Sequence, residues 1–308
     1  MRLPTHRFAA ALLSVAPVLR GVAAADPTIT DIFNVGTNCG SHLTSLNDWL
    51  NDSRAMLRAS NAGWSEFATD TGVRKLGTTF FGYKGKVMPG RAFEFMTDNL
   101  ALLTGNSGRA ADEKPWLFCG PNFMTRKDAS DDAFDKNGNT IDKPGGPPGV
   151  KYSIGEMYPA ELAGGDPYWV AEMGIYTFEH DENLATAYCN DADNLGLTWE
   201  ATMPSTANTQ IMMLCPSAWT APGNNARLSD AMDIFEDEDL TEHQPRAMTF
   251  LHEVYHVTAG GDMLSGKPEI YLLAHVINAG RHDNTKARKN PESRPTPCFV
   301  LPQLFNSG

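Results

Sequence analysis

The stretch MTFLHEVYHVTAGGD, residues 248–262, holds two histidines four apart, His252 and His256, with Glu253 directly after the first. Pro245 lies just upstream, and proline suits a first helical turn, so a helix is predicted from about 245 to 257. On a helix, residues four apart sit one above the other, which puts both imidazoles on one face about a turn apart. Met248, Leu251 and Val254 supply apolar packing on neighbouring faces. Two imidazoles so spaced suit two corners of a zinc tetrahedron. Glu253 can reach a water activated there without itself binding the metal, which is the place of a general base.

A catalytic zinc takes three protein ligands and leaves a fourth position open. Two carboxylates downstream are candidates for the third. Asp262 stands six residues past His256, behind Gly260 and Gly261, where a glycine turn can swing a short side chain back. Glu269 stands further on, beside Pro268, at the expected start of a second helix, and Tyr271 follows two residues later.

The rest of the chain sets the context. The first residues, MRLPTHRFAAALLSVAPVLRGVAAAD, combine basic Arg2 and Arg7, a short apolar run and small residues before Asp26. That is a signal-peptide pattern over 1–25, and the apolar run is too short for the roughly 20 residues of a spanning helix. Secretion is therefore expected, and removal of Arg2, Arg7 and Arg20 leaves 22 basic against 37 acidic residues, a formal charge of −15. Such acidity disfavours nucleic acid and anionic membrane surfaces as partners. Of the five cysteines, Cys39 with Cys119 and Cys189 with Cys215 are paired by proximity in sequence, which leaves Cys298 odd. Asn51-Asp52-Ser53 is a glycosylation sequon.

Apolar residues at helical spacing predict helices over 41–60 and 91–103. Residues 126–150, RKDASDDAFDKNGNTIDKPGGPPGV, are rich in Asp, Gly and Pro and read as an exposed loop or linker, with Asn137-Gly138 as a tight turn. Strands are expected over 169–178 and 210–214. The division is then a signal peptide, 1–25; an N-terminal helical region ending in that loop, 26–150; and a catalytic region, 151–308. His180, His275 and the acidic run 236–239 read as ordinary core or surface groups.

LHEVYH, the glycine-containing loop, Glu269-Ile270-Tyr271 and Asn290-Pro291-Glu292-Ser293 together resemble the fungal secreted zinc metalloendopeptidases related to deuterolysin and to peptidyl-Lys metalloendopeptidase, the aspzincins. The resemblance covers roughly the last third of the chain. It implies that His252 and His256 bind zinc, that Glu253 is the base, that a downstream carboxylate is the third ligand, and that Tyr271 helps stabilise the oxyanion. The chain departs from the family where an Asp is expected three residues before the tyrosine, since Pro268 stands there and Glu269 is the nearest carboxylate. It departs again at Arg294-Pro295-Thr296-Pro297-Cys298, where two prolines interrupt any helix.

These readings predict an α+β, zincin-like metallopeptidase with a mainly helical catalytic region and a small sheet, binding Zn²⁺, monomeric, and acting on a protein or peptide substrate. The alternative is a catalytically inactive secreted zinc-binding or surface-interaction protein of the same fold, which has kept the histidines but lost the third ligand or the cleft.

Overall fold

The computed structural model describes residues 25–83, 85, 90–179, 188–201, 209–220, 226–231, 243–259 and 273–282. A single turn of helix, α1 (Ile29–Ile32), leads through the short strand β1 (Asn34–Val35) to the long helix α2 (Leu43–Ser65). Along α2, Leu46, Trp49, Leu50, Ser53, Leu57, Ser60 and Trp64 are all buried. Their spacings of one to four residues trace one stripe down the helix, as the periodicity over 41–60 required. The sequon falls inside this helix rather than in a loop: Ser53 is buried with its hydroxyl 3.5 Å from the Ala247 carbonyl, and the Asn51 side chain accepts from Arg54.

Helix α3 (Thr71–Phe81) is capped by Asp70, whose carboxylate accepts from the Val73 amide, and it ends at Gly82 with φ 64°. Helix α4 (Gly90–Leu103) matches the second predicted helix. The main sheet combines β1 with β2 (Trp116–Cys119), β6 (Gly196–Ala201) and β7 (Thr209–Leu214) in the order β1-β2-β7-β6. The first three strands run parallel, and β6, at the edge, runs antiparallel to β7. This sheet takes strands from both sides of the boundary at residue 150.

Between β2 and β6 the chain builds a second, antiparallel sheet from β3 (Met124–Arg126), β4 (Asp166–Val170) and β5 (Ile175–Glu179), with one turn of helix, α5 (Ile154–Met157), before β4. The predicted strand over 169–178 is thus a hairpin, turning through Gly174 at φ 64°. Residues 126–150 are mostly exposed, as expected of a loop, yet they form an ordered unit and not a plain linker. Bridges Asp132↔Ser153, Phe134↔Thr140 and Asp142↔Lys151 fold it back on itself, and Ala133, Phe134 and Ile141 join Ile154, Trp169 and Tyr176 in a small apolar cluster. Few apolar residues suffice because the turn is set by polar groups: the Asp135 carboxylate accepts from the amides of Asn137 and Asn139, and Gly138 has φ 79°. Those two bonds, that from Asn139 the stronger, hold the Asp135 carboxyl below the usual carboxylate range.

Strand alternation gives the main sheet two different faces. Leu117, Met212 and Leu214 turn to the helices, while Phe118, Ile211 and Met213 turn to the second sheet and pack with Tyr168, Val170 and Ile175. Two further helices complete the helical layer, α6 (Ala247–Ala259) and α7 (Leu273–His282). Disulfides join Cys39 to Cys119 and Cys189 to Cys215, the pairing chosen by proximity in sequence. Cys298 lies outside the described residues. No described helix is long and apolar enough to cross a membrane.

Candidate metal centre

Helix α6 carries the stretch from which the reading began. It contacts α2 and α4 as well as β6 and β7, and Met248, Phe250, Leu251, Val254, Tyr255 and Val257 are all buried. An apolar majority on so many faces makes this a helix enclosed by its neighbours, so its polar side chains must find partners. His252 is 6% and Glu253 4% exposed, and His256 is half-buried.

The histidines converge. Their Nε2 atoms lie 3.3 Å apart and the rings are inclined by 57°. Two nitrogens each bound at 2.0–2.1 Å and subtending a tetrahedral angle stand about 3.3–3.4 Å apart, so this spacing fits two ligands of one zinc ion without rearrangement. A hydrogen bond between two neutral imidazoles places ring nitrogens at a similar distance.

Glu253 points toward the sheet. Its Oε2 accepts from the Thr198 hydroxyl at 2.7 Å, and its Oε1 lies 4.0 Å from His252 Nε2. The carboxylate can be there because position 196 is glycine: a Cβ on Gly196 would stand 2.9 Å from Glu253 Cγ and 3.0 Å from Oε1. Gly196 and Thr198 lie two apart on β6 and so share the face toward α6, while Leu197 and Trp199 face the other way, into the cluster between the sheets. A pocket of about 330 Å³ bordered by Glu161, Thr177, Phe178, Trp199 and Glu200 opens beside Trp199.

Of the residues singled out in the sequence, His252 and His256 therefore meet through their ring nitrogens, with the Glu253 carboxylate 4.0 Å from His252 Nε2. Asp262, Glu269 and Tyr271 lie outside the described residues, as do His180 and the acidic run 236–239. Among the described residues there is no cluster of three or more metal-ligating side chains. His275 is exposed on α7. Gly196 and Thr198 were not anticipated. A lone glycine opening the strand-like run Gly196-Leu197-Thr198-Trp199 is the one signal that could have marked a close approach there.

No family model and no curated protein matches this chain. Among solved structures it is similar to a zinc peptidase from Grifola frondosa, at 13% identity over 85% of this chain and 97% of that one, with a TM-score of 0.38. A likeness that weak carries no argument.

Proposed function

We propose that this chain is a secreted zinc-dependent endopeptidase. The observation that supports the reading most is the 3.3 Å convergence of His252 and His256 beside a carboxylate held one residue along the same helix. His252 and His256 would hold Zn²⁺, with Glu269 or Asp262 as third ligand. When bound, zinc supplies Lewis acidity, polarising the scissile carbonyl and bringing the pKa of a water towards 7. Glu253 takes the proton of the attacking water at Oε1 and returns it to the leaving amine, and Tyr271 donates to the oxyanion. The two disulfides accord with secretion.

Metal analysis together with cleavage of an unfolded protein substrate tests the proposal. The purified protein should contain one equivalent of zinc and lose activity to a chelator. Glu253→Gln should keep the metal and lose at least about 100-fold in kcat. Stoichiometric zinc without any cleavage by the wild type would favour the inactive binding protein, and absence of zinc would dismiss both.

A further inference from the structure

We propose that Thr198 is a positioning residue for Glu253, its hydroxyl holding one carboxylate oxygen so that the other is presented beside His252. The inference rests on the peptidase reading. A glutamate side chain has three rotatable bonds, and holding it in one arrangement costs rotamer entropy. Here two features of β6 offset that cost. The Thr198 hydroxyl has a single proton, and the 2.7 Å contact to Glu253 Oε2 is far shorter than the alternative at 3.4 Å to the Glu253 carbonyl, so the carboxylate receives it. The bare Cα of Gly196 then leaves just the space that Cγ and Oε1 occupy.

The strand that does this is itself anchored. Thr198 is paired with Met212 and Gly196 with Leu214, both on the buried strand β7. The segment entering β6 is held by the Tyr188 hydroxyl donating to the Gly196 carbonyl, by Asn194 donating to the Tyr188 carbonyl, by Ser217 donating to the Asn194 carbonyl, and by the Cys189–Cys215 disulfide. A hydroxyl fixed to this strand therefore defines a place for the carboxylate.

Thr198→Val is nearly isosteric and removes only the donor, while Thr198→Ser keeps it. Zinc content, kcat and KM for a peptide substrate, and crystal structures of both variants and the wild type form the test. In Thr198→Val, zinc stoichiometry and KM should hold, kcat should fall at least about tenfold, and the carboxylate should leave its place beside His252. Thr198→Ser should restore most of kcat. A Thr198→Val enzyme within about twofold of wild type, a Thr198→Ser enzyme as impaired as Thr198→Val, or an unmoved Glu253 in the Thr198→Val structure would each overturn the inference. If the wild type cleaves nothing, the peptidase reading fails separately, and the position of Glu253 in the variant structure still decides the role of Thr198. Should Thr198→Val not fold, Thr198→Ala is read the same way.

Discussion

Arg54 shows how much a single residue can organise. It is 1% exposed, a rare state for a guanidinium, and its donors are spent on main-chain oxygens: Nε on the Leu103 carbonyl at 2.8 Å and Nη2 on the Pro27 carbonyl, with Nη1 on Asn51. One side chain thus joins the segment before α1, the helix α2 and the end of α4. Arg54→Ala should leave a cavity and two carbonyls without their donor, and cost about 3–5 kcal/mol in denaturant unfolding. Tyr176 offers a pH signature. Its hydroxyl accepts from the Phe134 amide at 3.0 Å, and burial pushes its pKa up to about 12. In the unfolded chain the phenol loses its proton near pH 10, so the contribution to stability is intact below about pH 10 and is lost as pH rises towards 12. An ultraviolet titration of the folded protein should show phenolic absorbance rising near 12, with an amplitude that Tyr176→Phe lowers by one tyrosine.

Two elements carry the clearest consequences of packing. Helices α3 and α7 approach at Gly280, where a Cβ would stand 2.1 Å from the Thr79 carbonyl oxygen. Backbone cannot give way as a side chain can, so Gly280→Ala should separate the helices and lower stability by about 1–3 kcal/mol, measured by thermal unfolding. Helix α6 is the other. Leu251 is fully buried one position before His252. Leu251→Ala should cost about 2–5 kcal/mol in denaturant unfolding, because the helical core cannot close over the lost side chain.

At the scale of the whole molecule, one sheet separates two apolar clusters, and two disulfides cross-link segments distant in sequence. Cys39–Cys119 closes a separation of 80 residues and Cys189–Cys215 one of 26. Chain-entropy bookkeeping assigns them about 4.5 and about 3.5 kcal/mol. Reduction should therefore lower the midpoint of unfolding markedly, and replacing both Cys39 and Cys119 by alanine should cost more than replacing the other pair. The second crosslink has a further role, since it sits beside the segment that delivers Gly196 and Thr198 to Glu253.

What could be read from the chain alone was whatever is encoded within a few residues: the stripe of α2, the helix α4, the turn at Asn137-Gly138, and the placing of His252, Glu253 and His256 on α6, because helix geometry ties each residue to those three and four away. The cysteine pairing followed from proximity. What only the tertiary structure decided depends on distant segments meeting. Nothing local says that 126–150 folds around Ala133 and Ile154, that 169–178 turns back as a hairpin, or that one sheet has two dissimilar buried faces. Least legible was the partnership of Glu253 with Thr198, 55 residues away. It exists because strand register and chain closure bring an edge strand with a bare glycine over one carboxylate, and such closure is a property of the folded chain as a whole.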